Sequence, residues 1–106
     1  PECFFYNILY SSIIKLVMKT AKQMERHFKG LANHWRINIL MLVSKKPNIT
    51  LDGIVAELKG NFKTISEHSK KLVQAGLLNK KYEGRSVTHS LSPYGEKVIS
   101  FIKSFK

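Results

Sequence analysis

Apolar residues recur at helical spacing in the first third of the chain. Ile13, Val17, Ala21, Met24 and Phe28 follow one another three or four positions apart, so they share one helical face. The pattern predicts one long helix over residues 4–29, ended by Gly30. Core packing within one chain is the ordinary explanation for such a stripe. The surplus of apolar residues near its start instead favours a homodimer, with contacts from this helix and the last one: Phe5, Ile8, Leu9, Ile13, Val17, Ile102 and Phe105.

The next helix is predicted over residues 34–45, with Asn33 as its N-cap. Its apolar residues nearly complete the circumference, which indicates a central, buried helix. Arg36 is the exception, and an internal ion pair with Asp52 or Glu57 or a snorkelling side chain would accommodate it.

Two further helices lie close together in the sequence. Thr50 precedes a helix over residues 51–58, and Asn61 precedes another over residues 62–75. Gly76 follows the second, where a left-handed residue is needed and glycine adopts that conformation without strain. Two helices joined by a turn of about three residues form a helix-turn-helix.

The periodicity then changes from helical to alternating. Residues 78–82 and 86–91 are predicted to pair as a hairpin with Gly84 in the turn, and Ser92 with Pro93 begins a last helix. Because a lone hairpin is marginally stable in water, this one must pack on the helices.

The predicted fold class is mainly α with a small β-hairpin, α+β. The architecture is a winged helix-turn-helix with a long N-terminal helix and a C-terminal helix for dimerisation. The chain is expected to form one domain, with a dimerisation helix over residues 1–30, a DNA-binding core over 31–92 and a C-terminal helix over 93–106.

Charge indicates the class of partner. The chain has 106 residues, 43% of them hydrophobic, and its 18 Lys and Arg oppose 7 Asp and Glu to give a net charge of +11. Such an excess on a small domain favours a polyanion, either nucleic acid or an anionic membrane.

Membrane insertion and secretion are not expected. The longest apolar stretch, residues 3–14, is interrupted by polar residues and is shorter than the roughly 18 apolar residues of a spanning helix. The stretch also lacks the basic region and cleavage site of a signal peptide. A single cysteine, Cys3, excludes an intramolecular disulfide. These features predict a cytoplasmic protein.

Several motifs resemble ArsR-type winged-helix regulators. The segment LANHWRINIL (31–40) is similar to their "LADPTRLRIL", and residues 64–78 are similar to "TVSxHLxxLxxAGLV". EGRSV (83–87) resembles the "EGRxV" of their wing, whereas SPYG (92–95) is closer to the "LTPxG" of MarR-type proteins. The resemblance implies a dimeric transcription factor in which the second helix of the helix-turn-helix, over residues 62–75, enters the major groove. It also implies the residues that face the bases: Lys63, Thr64, Ser66, Glu67 and His68. Two residues depart from the pattern, because Ser69 replaces a leucine and Phe62 replaces a polar residue.

Basic residues cluster in the helix-turn-helix and hairpin. Residues 59–89 hold seven Lys and Arg against two Glu, which suits neutralisation of phosphates, although solvated surface lysines are the alternative. Arg85 at the hairpin tip suits the minor groove, whose negative potential attracts arginine. The residues expected at phosphates or on the wing are Lys59, Lys70, Lys71, Lys80, Lys81, Arg85 and Ser86.

Catalysis and metal binding have little support. The four histidines, His27, His34, His68 and His89, do not combine with cysteines or carboxylates at metal-ligand spacing. No nucleophile elbow, zinc-protease motif or phosphate loop occurs. We therefore expect no enzyme, no metal and no cofactor.

The sequence thus predicts a homodimeric regulator, acting as a repressor, that binds double-stranded DNA at specific sequences. One alternative is a winged-helix module that binds protein through its apolar first helix. Another is a basic domain associated with membrane through residues 4–18. A small-molecule effector, the operator and the genes controlled stay open.

Overall fold

The structure is a computed structural model that describes residues 18–106. Within this range the chain forms five helices and a three-stranded sheet, which confirms the α+β winged helix-turn-helix fold. The elements in chain order are α1 (Ala21–Leu31), α2 (His34–Lys45), β1 (Ile49–Thr50), α3 (Leu51–Leu58), α4 (Phe62–Gln74), β2 (Leu78–Glu83), β3 (Ser86–Leu91) and α5 (Pro93–Lys103).

The first described helix begins later than the sequence pattern predicts. Thr20 has an extended backbone and caps α1, because its hydroxyl accepts from Gln23 N at 3.2 Å. The Gln23 side chain accepts in return from Thr20 N at 2.9 Å, completing a capping box. The prediction of one helix through residues 4–29 is therefore wrong at residues 18–20. Residues 1–17 lie outside the described range, and with them the predicted dimer contacts Phe5, Ile8, Leu9, Ile13 and Val17.

Gly30 lies inside α1 instead of ending it, which corrects a second prediction. A Cβ at this position would overlap the Cβ of Ala75 at the end of α4. The glycine therefore allows two helices to approach closely. His27 adds to this contact, because its Nδ1 hydrogen-bonds the Ala75 carbonyl oxygen.

The predicted caps are confirmed. Asn33 accepts from Trp35 N at 2.9 Å, Thr50 from Gly53 N at 3.0 Å, and Asn61 from Thr64 N at 3.2 Å. Gly76 has the expected positive φ of 77° just beyond α4, whose last residue is Gln74 rather than Ala75. Local side-chain chemistry thus sets most helix boundaries.

The hairpin is part of a larger sheet than predicted. β2 and β3 pair antiparallel, with Leu78 opposite Leu91. The two-residue strand β1 adds to the other edge of β3, with Ile49 opposite His89, so the strand order is β1-β3-β2. The base of the wing is therefore held on both sides of β3.

The core lies between α2, α3, α4, α5 and the base of the sheet. Fully buried side chains from α2 (Ile39 and Leu40) meet Ile54 of α3 and Ile65 of α4. Ile99 of α5 belongs to the same buried cluster. The prediction that α2 is the central helix is correct.

Replacing Gly30 should separate α1 from α4. We expect Gly30→Ala to lower the free energy of unfolding in urea by about 1–3 kcal/mol, the range of overpacked cores, because its methyl group would overlap Ala75. The double variant with Ala75→Gly should regain part of the loss. A single variant as stable as the wild type would contradict this packing.

Candidate nucleic-acid interface

Helix α4 has one buried side and one exposed side. Ile65, Ser69 and Leu72 face the core. The opposite side exposes residues spaced three and four apart, as expected for a single helical face. The exposed residues are Lys63, Glu67, Lys70, Lys71 and Gln74, with the predicted Thr64, Ser66 and His68 half-buried at the flanks.

The first turn of α4 lacks an acidic residue and carries Lys63. A helix N-terminus bears partial positive charge, so a cation there is unfavourable by about 0.3–1 kcal/mol unless an anion is nearby. Phe62 in the same turn is also 54% exposed. The start of α4 therefore carries a cation and an aromatic ring that neither helix stability nor core packing accounts for.

The register of the wing separates its two faces. Lys80 lies opposite His89 and Tyr82 lies opposite Val87. Paired residues share a sheet face and neighbours alternate, so Lys80 and Tyr82 lie on the face of His89. Lys81 lies on the other face and forms an ion pair with Glu83, at 3.5 Å from Nζ to Oε1. The two lysines predicted together at phosphates therefore point to opposite sides.

The predicted residues of α4 and the wing meet in two adjoining clefts. One cleft is lined by Ser66 and Lys70 of α4 and by Lys80 of the wing. The other is lined by Phe62, Arg85 and Ser86. Both clefts include Leu51 and Val87 in their walls. The exposed side of α4 and one face of the wing consequently form one surface.

Lys59 lies at the turn before α4. Its side chain is exposed, its backbone is left-handed with a φ of 52°, and it caps the C-terminus of α3.

The glycine at the wing tip, Gly84, also has a positive φ. No atom of the described residues lies within 4 Å of the position that a Cβ would take there. The tip with Arg85 therefore projects from the domain.

Arg36 links three helices, and of the alternatives left open by the sequence it does not form the ion pair with Asp52 or Glu57. Its Nη1 donates to the carbonyl oxygens of Lys29 and Gly30, each at 3.2 Å. Its Nε donates to Nδ1 of His68 at 3.1 Å. The unpaired carbonyls at the C-terminus of α1 attract the guanidinium.

His68 is consequently held by the fold as well as predicted at the bases. Burial lowers the pKa of His68 below its ordinary value, and the positive charges of Arg36 and Lys71 lower that pKa further. The neutral ring suits the acceptor role of Nδ1 toward Arg36. This link was not predicted, because sequence spacing does not reveal a contact between residues 32 positions apart.

The described residues contain no group of three His, Cys, Asp or Glu side chains placed to hold a metal ion. None of the helices in residues 18–106 has the length and hydropathy needed to span a membrane.

A central α2, a helix-turn-helix formed by α3 and α4 with one side of α4 exposed, and a projecting hairpin define a winged helix-turn-helix protein. The family model for "Bacterial regulatory protein, arsR family" matches residues 33–80, from the cap of α2 into β2. The helix-turn-helix core of this chain is therefore similar to the arsR family. The matched model describes regulatory proteins, which supports a DNA-binding transcriptional regulator rather than an enzyme.

Solved structures give the same fold. HlyU from Vibrio cholerae N16961 is similar with a TM-score of 0.72 at 22% identity, over 79% of this chain and 91% of that one. The homodimeric winged helix-turn-helix DNA-binding domain of Mb0332 from Mycobacterium bovis has a TM-score of 0.71 at 23% identity, over 77% and 76%. MarR has a TM-score of 0.67 at 15% identity, over 97% and 73%. No curated protein matches the chain.

Acid should destabilise the fold through two histidines. Burial lowers the pKa of His89, as it does the pKa of His68. The unfolded chain then takes up these protons at a higher pH than the folded chain does. The two neutral histidines therefore contribute their full stabilisation above the ordinary histidine pKa near 6.5. That stabilisation is lost as the pH falls from there through the lowered pKa values of the folded state.

We expect the free energy of unfolding to decrease from pH 7 to pH 5, as measured by urea denaturation. His89→Gln should reduce that decrease, whereas His34→Gln, at an exposed position, is the matched control. Equal stability at both pH values in the wild type would contradict the assignment.

Proposed function

We propose that this chain is a homodimeric repressor that binds specific DNA sequences, with α4 in the major groove and the wing on the adjacent backbone or minor groove. The observation that carries the proposal is the single surface formed by the exposed side of α4 and the Lys80 face of the wing. Both parts of this surface are rich in cations. The match of residues 33–80 to the arsR family model supports it.

Base reading is assigned to the start and middle of α4. Lys63 is suited to guanine, Thr64 and Ser66 to either base edge, and Glu67 to the amino group of cytosine. Exposed Phe62 adds an apolar group that suits a thymine methyl. His68 is assigned to positioning α4 instead, since its Nδ1 already accepts from Arg36.

Phosphate contacts are assigned to the cations around the same surface. Lys59, Lys70, Lys71 and Lys80 are exposed and have no ion pair within the described residues. Arg85 and Ser86 extend the surface to the wing tip. Lys81 is left out of this set, because it lies on the other face and pairs with Glu83. Lysines of this kind position a protein on DNA without specifying sequence.

Dimerisation is assigned to α1 and α5. The two helices line an apolar groove with Met24, Phe28, Tyr94 and Val98. Phe105, just beyond α5, is 70% exposed and packs edge-on against Phe101, whereas Ile102 is half-buried against the core. The M. bovis domain of the same fold is a homodimer. A two-fold dimer would place two α4 helices about 34 Å apart, one turn of DNA.

Selection of bound duplexes from a random pool tests sequence reading. We expect a palindromic motif for the wild type and a changed motif for Lys63→Ala, with discrimination reduced by about 1–3 kcal/mol at the affected base pair. Lys22→Ala, at an exposed position of α1, should select the wild-type motif. Absence of any binding to duplexes at low salt would favour the alternative of a protein-interaction module.

Salt dependence tests the phosphate contacts. Lys80→Ala should weaken binding to all sequences about equally and reduce the slope of log affinity against log salt by about 1. Lys81→Ala is the matched control on the opposite face of the wing and should leave the slope closer to that of the wild type. If the two variants have the same slope, the assignment of the wing's DNA-facing side is wrong.

Sedimentation equilibrium tests the dimer. Phe105→Glu should raise the dissociation constant at least tenfold, about 1.4 kcal/mol, because it places a charge on an apolar interface. Tyr82→Glu replaces an aromatic that is equally exposed, at 69%, but lies on the wing, and it should leave dimerisation unchanged. A monomeric wild type, or equal effects of both variants, would contradict the assignment.

A further inference from the structure

Two exposed aromatic rings lie on the surface that α4 and the wing share. Phe62 in the first turn of α4 is 54% exposed, and Tyr82 near the end of β2 is 69% exposed. Val87 of β3 connects them, because it lines the same cleft as Phe62 and lies directly opposite Tyr82 in the sheet. Residues paired in this way have Cβ atoms about 4.5–5.5 Å apart on one sheet face. The two rings therefore flank one residue on one surface.

Neither ring belongs to the buried core. The side chains of α4 that stabilise the fold are buried on its inner side, as Ile65 and Leu72 are. A large apolar side chain left in water forgoes the free energy that burial would bring. Single exposed apolar residues are common on protein surfaces, whereas neighbouring ones mark a binding site. Phe62 and Tyr82 are thus available to a partner.

Cations lie beside both rings. Lys80 Nζ lies 5.3 Å from the centre of the Tyr82 ring. Arg85 lines the cleft of Phe62, where it is accompanied by the carboxylate of Asp52. Two cations therefore stand against that carboxylate. A positively charged surface with exposed aromatic rings suits a polyanion that carries rings of its own, which is nucleic acid.

The pairing state of a nucleic acid decides what such rings can contact. In a duplex, neighbouring base pairs cover the base faces, and side chains in the grooves read base edges. In a single strand the faces are accessible, and aromatic side chains stack on them next to a basic groove that follows the backbone. The exposed faces of Phe62 and Tyr82 match the single strand.

We infer that Phe62 and Tyr82 form a stacking platform for the unpaired bases of single-stranded DNA. Bases stack on the two rings, and Lys80 and Arg85 contact the phosphates that connect those bases. Binding of this kind depends little on sequence, because every base has an aromatic face. The platform gives this surface a second ligand and goes beyond the proposed function, which concerns duplex DNA.

Fluorescence anisotropy of the full chain measures the binding, with a labelled oligothymidylate of about 12 nucleotides as the probe. A second labelled strand of the same length and charge is abasic at its central positions, so it keeps the phosphates and loses the faces that stack. We expect oligothymidylate to bind roughly fivefold more tightly, or more. Equal affinity for the two strands, as expected for lysines that only neutralise phosphates, would overturn the proposal. Absence of binding to both strands at low salt would also overturn it.

Substitutions locate the platform. Phe62→Leu and Tyr82→Leu keep an apolar side chain without an aromatic face, and each should reduce the preference for oligothymidylate at least threefold. Tyr82→Phe keeps the ring and should keep the preference. Phe101→Leu is the matched control, because Phe101 is 56% exposed but lies on α5. An unchanged preference in both leucine variants, or an equal loss in Phe101→Leu, would overturn the assignment.

Folding of these variants is checked by thermal unfolding. All three positions are exposed, so each variant should unfold at the temperature of the wild type. A loss of preference in a variant that unfolds at this temperature supports the platform. A loss that occurs only in variants with a lower unfolding temperature would overturn it.

NMR signals of the ring protons report stacking directly. Signals of Phe62 and Tyr82 should move upfield as oligothymidylate is added, because a base stacked over a ring shields its protons. The abasic strand should move them less. Saturated binding of oligothymidylate with both sets of ring signals unmoved would overturn the stacking.

Competition distinguishes the platform from the proposed function. Lys80 and Arg85 are assigned to phosphates of both ligands, so an unlabelled duplex should displace the labelled strand, and only this expectation rests on the proposed function. Simultaneous binding of strand and duplex would overturn the shared surface. A chain that prefers oligothymidylate to the abasic strand but binds no duplex would support the platform and contradict the proposed function. A chain that binds a duplex without that preference would overturn the platform alone.

Discussion

The burial of one side of α4 is the constraint on which the rest of the structure depends. Ile65 and Leu72 are fully buried against the other helices, so the rotation of α4 about its axis is fixed. Each buried side chain of this size contributes about 1.5–3 kcal/mol relative to exposure, which is large compared with the surface interactions around it. The residues opposite them therefore face outward, whatever their charge.

Features that oppose stability are concentrated on that helix and the strand beside it. Lys63 lies at the positive end of a helix dipole, Phe62 exposes an aromatic ring, and Ser69 and His89 bury unpartnered polar atoms. Outside this region Arg36 bonds to two carbonyls and to His68, whereas His27 Nε2 of α1 is a further buried polar atom without a partner among the described residues. Natural sequences break local rules mainly at functional sites, so the exposed Lys63 and Phe62 at the start of α4 support its proposed contact with DNA.

Local chemistry made much of the fold predictable. Asn33, Thr50, Asn61 and Ser92 cap the predicted helices, and Gly76 takes the predicted left-handed conformation. Contacts distant in sequence were not predictable in the same way. The role of Gly30 depends on Ala75, the two clefts depend on how the wing packs on α4, and β1 is too short to show alternation. The candidate DNA residues followed from motif and charge, but only strand register separates Lys80 from Lys81.

The central claim is that the exposed side of α4 and one face of the wing contact DNA together. Lysine acetylation footprinting on a bound duplex tests it most directly. The account predicts that Lys63, Lys70 and Lys80 become protected together, while Lys22 on α1 and Lys97 on α5 react as in the free protein. Protection of the α1 and α5 lysines, with those of α4 and the wing still reactive, would contradict it.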